Sequence, residues 1–180
     1  MIYIFLAKGF EEIEAITPID LLRRCDLEVT TVGIGGKSID GAHGITIHTD
    51  IQDDELVLDD DTQMIILPGG MPGTLNLEGS PIVQNAVDYC IQNNRYVAAI
   101  CAAPSILGNK GLLKGKKATC FPGFESTLKG AIVTDECLCV DGNIITAKGP
   151  GAAIDFSLKL VSLLTSEDRS NTLKDSLQCL

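Results

Sequence analysis

An α/β sandwich on a mostly parallel central sheet is the architecture this sequence predicts, on three observations. Short β-rich runs recur along the chain, amphipathic stretches alternate with them, and several runs are apolar at every position. Regular alternation of strand and helix calls for parallel βαβ units. Unbroken apolarity calls for strands covered on both faces. The 180 residues, 45% of them hydrophobic, suit one domain over 1–180 with a sizeable core. No internal repeat or linker divides them.

Ile2–Ala7 reads as the first strand, and Glu11–Arg24 as a helix with Ile13, Ile16, Ile19 and Leu22 on its inner face. Pro18 predicts a kink or turn at Thr17. Glu28–Ile34 is the second strand, ended by Gly35-Gly36, and segments 37–39 and 44–48 form a hairpin around Gly41–Gly44. Met64–Leu67 is an apolar strand closed by Pro68-Gly69-Gly70. Pro81–Asn93 is a helix with proline in its first turn. Arg95–Ile100 is a buried strand that leads into Cys101 and a short helix to Asn109. Lys116–Cys120, Ile132–Val133, Leu138–Val140 and Asn143–Ala147 read as strands, the last two joined by the hairpin signal Asp141-Gly142. Gly149-Pro150-Gly151 opens an apolar helix, Ala152–Leu164, and a polar helix from Ser166 to about Gln178 follows.

Composition narrows the partners. Fourteen Lys and Arg against 24 Asp and Glu give a net charge of −10, which repels nucleic acid and anionic membrane surfaces, with no basic cluster to offset it. Asp59-Asp60-Asp61 has no glycine-punctuated calcium-loop spacing around it and reads as a solvated loop. No apolar stretch is long enough to cross a bilayer. The seven cysteines are odd in number, and the opening MIYIFLAKGF reads as a strand rather than a secretion signal. Free thiols in a reducing cytoplasm follow. Cys137-Leu-Cys139 offers two thiols without a second ligand pair, and His43 and His48 are the only histidines. Same-face positions on a strand explain it better than zinc, and no metal site is expected.

In such folds the ligand crevice lies outside the carboxyl ends of the strands. AKGFEEIE, PGGMPG and CAAP fall there. A strand that reverses directly into a helix makes a sharp elbow and pushes its apex residue into a sparsely populated conformation. Ala102 and Ala103 after Cys101 are small enough to allow it, and Pro104 starts the helix. A thiol over a helix N-terminus is expected to have a lowered pKa and to be reactive. The bland alternative is a small hydrophobe ending a buried strand; that reading is kept for Cys25, Cys90 and Cys179. Gly69-Gly70 lets the main chain approach a ligand. The Gly70 and Ala102 N–H groups together would form an oxyanion hole. Of Glu11, Glu12 and Glu14, helical spacing with Ile13 and Ile16 inward makes Glu14 the acid that points to the strand ends.

At these residues the sequence resembles the ThiJ/PfpI superfamily, in the branch of the parkinsonism-associated protein DJ-one and its bacterial chaperone-like relatives. GFEEIEAITPIDLLRR, ILPGGMPGTLNL, VAAICAAPSIL and TAKGPGAAIDFSLKLV carry the resemblance in order from Gly9 to Val161. It implies a flavodoxin-like three-layer sandwich with a nucleophile elbow, usually a homodimer. It implies that Cys101 is the nucleophile and redox-sensitive thiol, and that a protonated Glu14 donates to its sulfur. Gly70 and Ala102 would supply backbone N–H groups to that pocket. Arg24 aligns with an arginine that approaches the partner subunit's site, and Lys148, Gly149 and Pro150 occupy the loop beside the cysteine, where Arg or Gln usually replaces Lys148.

Two departures sharpen the expectation. Phe121 stands where some members carry a His near the cysteine, and Ala102 follows the cysteine where the protease-like branch has His. Without an imidazole base, peptidase and amidotransferase mechanisms are excluded; His43 reads as an exposed loop residue or interface contact. The resemblance then implies a cofactor-free cysteine enzyme acting on reactive dicarbonyls or glycated substrates, of glyoxalase or deglycase type. Its rival is an oxidative-stress sensor or redox-regulated chaperone with little turnover.

Overall fold

The computed structural model describes residues 1–179. Its strands are β1 (Ile2–Leu6), β2 (Val29–Gly33), β3 (Ser38–Asp40), β4 (Thr46–His48), β5 (Ile51–Gln52), β6 (Met64–Leu67), β7 (Tyr96–Ile100), β8 (Lys117–Ala118), β9 (Ile132–Val133), β10 (Leu138–Asp141) and β11 (Ile144–Ala147). The helices are α1 (Glu12–Arg24), α2 (Gly73–Glu78), α3 (Pro81–Gln92), α4 (Pro104–Asn109), α5 (Ala153–Leu164) and α6 (Glu167–Ser176). Seven strands form the central sheet in the order β10-β11-β7-β6-β1-β2-β5. Every neighbouring pair is parallel except the β10–β11 hairpin at one edge.

The sheet is buried on both faces, as the unbroken apolar strands require. In β1 the side chains alternate between two cores: Ile2, Ile4 and Leu6 pack with Leu22, Phe156 and Leu160, while Tyr3 and Phe5 pack with Val83, Val87 and Ile106. Helices α1, α5 and α6 thus cover one face and α2, α3 and α4 the other, giving the flavodoxin-like three-layer sandwich. Ser80 caps α3 by accepting from the Val83 N–H, with Pro81 in the first turn where its missing N–H costs nothing. Strand β1 pairs with β2 on one side and β6 on the other. The chain leaves β1 toward β2 and leaves β6 toward β7 on the other side, so the switch point at the carboxyl ends lies between these two strands.

Four expectations change. Ile13 and Ile16 face outward, 53% and 38% exposed, and α1 buries Ala15, Pro18, Leu21 and Leu22 together with Glu12 and Glu14. Helix α1 runs unbroken through Pro18. Proline there removes the bond to the Glu14 carbonyl but does not end the helix, and its ring is buried, so no turn forms at Thr17. Lys116–Cys120 shrinks to the two residues of β8, which pair with β9 in a separate small sheet. Edge strand β5 and helix α2 have no counterpart among the predicted elements. One is two residues long, and the other follows PGGMPG, whose glycines and prolines read as loop.

Candidate active site

Three loops at the strand ends meet around Cys101. The thiol stands between β7 and α4 at φ 66°, left-handed backbone that costs a non-glycine residue about 1–2 kcal/mol. Ala102 and Ala103 fill the buried inside of the elbow, 2% and 0% exposed. The Cys101 N–H still donates to Ala147 O at the end of β11, 2.9 Å away, so the strained residue remains tied to the sheet.

The loop after β6 closes on this elbow. A Cβ at Gly69 would lie 2.6 Å from the Cys101 Cβ and 2.7 Å from Glu14 Oε2, so only glycine lets the main chain pass. Gly70 adopts φ 90°, which turns its N–H toward the thiol. The third piece is α1, whose start is fastened to the same loop where the Glu11 N–H donates to Gly69 O at 3.0 Å. That anchor delivers Glu14, wholly buried, with Oε2 accepting from the Gly69 N–H at 2.9 Å. Oε1 has no hydrogen-bond partner.

The electrostatics follow from this burial. Desolvation lifts Glu14 to about 7; hydrogen bonding from Cys101 and the Gly69 N–H opposes the rise, and the charge of Glu11 adds to it. Burial also pushes the Cys101 thiol up to about 12, aided by the Glu14 charge and hydrogen bond and opposed by the N–H groups of Gly70 and Ala102. The lowered thiol pKa expected from the helix terminus is therefore not found: α4 is six residues long, and a buried carboxylate faces the sulfur. After burial, the next contributions to the upward push come from an ionised Glu14. A proton on that carboxyl removes the repulsion and turns an acceptor into a donor. The acid and thiol act as one unit. Cys90 is raised to about 12 as well, chiefly by burial, but it is wholly enclosed in the core.

The other predicted residues divide. Gly149 and Pro150 border the site, since a Cβ on Gly149 would lie 3.9 Å from Glu14 Oε1. Lys148 Nζ turns away to donate to Asp135 O at 2.8 Å. Arg24 lies at the far end of α1, ten residues or about 15 Å along the axis from Glu14, where it pairs with Asp20 at 2.8 Å. Within the chain it takes no part in the Cys101 site. His43 is exposed, as its loop position predicted, but it also clasps Glu12 through Nδ1 at 2.9 Å. Among the described residues, Glu11, Glu12 and His43 are the one group with metal-ligand spacing. Hydrogen bonds from His43 and Ile45 already occupy the Glu12 oxygens. Nothing in the sequence marked this clasp, because acids at a helix start are ordinarily solvated.

Fold and site together define a doubly wound α/β protein with a cysteine at a nucleophile elbow, set against a buried acid and two backbone donors. The sequence profile of the DJ-1/PfpI family matches residues 1–163, and the chain belongs to that family, in its DJ-1 branch. It is 35% identical to Protein DJ-1 homolog A of Arabidopsis thaliana over 176 residues, 96% of this chain and 45% of the relative. The chain thus spans less than half the length of that protein, and 38% of homolog B. A Caenorhabditis elegans relative named glutathione-independent glyoxalase DJR-1.2 is 31% identical over 165 residues, 91% of this chain and 87% of the relative. The crystal structure of Drosophila melanogaster DJ-1beta superposes with a TM-score of 0.93 at 30% identity, covering 99% of this chain and 97% of that one.

Proposed function

We propose that the protein is a cofactor-free cysteine enzyme that converts reactive dicarbonyls to 2-hydroxy acids. The observation that carries this reading is Glu14, a buried acid near neutrality, placed against the elbow thiol, which the Gly70 and Ala102 N–H groups also reach. Ionised Glu14 takes the Cys101 proton as sulfur bonds to the aldehyde carbon. The carbonyl electron pair moves to oxygen, where the Gly70 and Ala102 N–H groups hold it, and Glu14 returns the proton to give a hemithioacetal. Glu14 then removes the hydrogen of that carbon and delivers a proton to the neighbouring carbonyl carbon, while the hemithioacetal hydroxyl proton passes to the neighbouring oxygen, leaving the thioester of a 2-hydroxy acid. Water cleaves the carbon–sulfur bond and restores the thiol. The sum is one dicarbonyl plus one water to one hydroxy acid, with no external oxidant. Methylglyoxal gives lactate, and early glycation adducts enter by exchange, the Cys101 sulfur replacing the target's amine or thiol on that carbon as Glu14 protonates the group that leaves.

Replacing Cys101 by Ser is expected to abolish lactate formation from methylglyoxal, measured on purified protein; full activity in C101S would overturn the reading. A redox sensor is favoured by one feature, the unpartnered Oε1 of the buried Glu14, which as a protonated carboxyl would offer a donor to a sulfinate oxygen. Negligible turnover, with two oxygens gained on Cys101 after mild peroxide, would select the sensor. The same reading makes the protein a homodimer, with the outward Ile13 and Ile16 covered and Arg24 approaching the partner's site. Its seven free thiols suit the cytoplasm, and among the described residues no helix is long and apolar enough to cross a membrane.

A further inference from the structure

We propose that the groove between Phe121 and the Lys148–Ala152 loop, which reaches the Cys101 site at Gly149, is an apolar subsite that takes the substituent R of a ketoaldehyde R–CO–CHO and favours an aromatic R over methyl. The inference rests on the dicarbonyl reading. Phe121 is tied to the elbow itself, its N–H donating to Cys101 O at 2.8 Å. Its ring lies against Gly149, where a Cβ would come within 3.0 Å of Cδ2, while the same position lies 3.9 Å from the unpartnered Oε1 of Glu14. Phe121, Gly149 and the acid thus stand in line at the rim of the site. The ring is 42% exposed, although it is a large apolar group.

From that rim runs a groove of about 220 Å³, between Phe121–Pro122 on one side and Lys148–Pro150 on the other, with Cys137 beside them. The Lys148 ammonium is drawn off to Asp135 O, so the lysine offers the groove its aliphatic stem and not its charge. Apolar cavities of about 150 Å³ accept a benzene ring, so a phenyl group fits this one where methyl leaves most of it to water. The chemistry at sulfur is unchanged: phenylglyoxal plus water gives mandelate, as methylglyoxal plus water gives lactate.

The experiment compares kcat/KM for phenylglyoxal and methylglyoxal in the native protein, F121A and F121H. The native protein is expected to favour phenylglyoxal by on the order of tenfold, and F121A to lose most of that preference. F121H, which keeps a planar ring but adds polar nitrogens, should fall between. A native ratio at or below unity, or a ratio that F121A leaves unchanged, overturns the subsite. Alkylation of Cys101 by N-phenyl against N-methyl iodoacetamide reads the same groove without turnover. A phenyl preference there that F121A removes, with neither dicarbonyl consumed, keeps the subsite and sinks the dicarbonyl reading. Turnover with no Phe121-dependent preference in either assay does the reverse.

Discussion

Glu12 and Glu14 enter the first turn of the same helix, both buried, 4% and 0% exposed, and they ionise in opposite directions. Burial pulls Glu12 upward, but the His43 ring and the N–H groups of His43 and Ile45 outweigh it and hold the carboxyl below its ordinary value. Glu14 has one backbone donor, Gly69, and an oxygen with none, so burial carries it to about 7. Burial alone therefore does not decide the charge of a carboxylate. The number of donors aimed at it does. Glu12 fastens the β3–β4 hairpin to α1, and Glu14 keeps one carboxylate oxygen without a partner.

The largest effect that tests this contrast is catalytic. Glu14→Gln is expected to lower kcat/KM for methylglyoxal by on the order of 10²–10⁴-fold, and Glu12→Gln by less than about threefold. Comparable losses in both variants would erase the distinction.

Stability should move the other way for Glu14. Its folded pKa, about 7, lies above the ordinary 4.5, so the stability it contributes is complete below 4.5 and lost as pH rises through 7. Glutamine does not titrate. E14Q should accordingly gain on the native protein by on the order of 3 kcal/mol between about pH 5 and about pH 8, read from urea denaturation at each pH. A gap that stays flat would mean that Glu14 is not raised.

Glu12→Gln should show the opposite slope. A depressed pKa contributes stability above the ordinary 4.5 that is lost as pH falls through the folded value. The variant is expected to cost about 1–3 kcal/mol at neutral pH, from hairpin N–H groups left facing a poorer acceptor, and the difference should close in acid. His43→Ala is the smallest change. The His43 pKa is raised by its hydrogen bond to Glu12 and by the nearby carboxylate charges. Its contribution to Tm should be present below 6.5 and vanish as pH rises through the folded value. A Tm difference that persists unchanged in alkali would show that the ring acts by packing and not by charge.

Much of the site was legible because it is built from local backbone chemistry. Cys-Ala-Ala-Pro after an apolar run specifies an elbow, and Pro-Gly-Gly after another specifies a loop that the main chain can bring close. Helix α1 was harder to read. Ile13 and Ile16 share a helical arc with Ile19 and Leu22, and periodicity alone made it the inner one. The arc of Ala15, Pro18 and Leu22 packs inward instead, because small and flat side chains let α1 sit close to the sheet. Glu14 does turn inward, against Gly69, but Ile13 and Ile16 do not share its face.

The sequence by itself determined the alternation of strands and helices, the three loops at their carboxyl ends, and the place of Cys101 at the apex of one of them. These depend on propensity, periodicity and turn chemistry within a few residues. Only the tertiary structure decided which acid is charged and where the thiol pKa lies. The donor to Glu14 comes from Gly69, 55 residues away, and the clasp on Glu12 from His43, 31 residues away. Ionisation in a buried site is set by whichever dipoles the fold brings to it, and those contacts have no local signature.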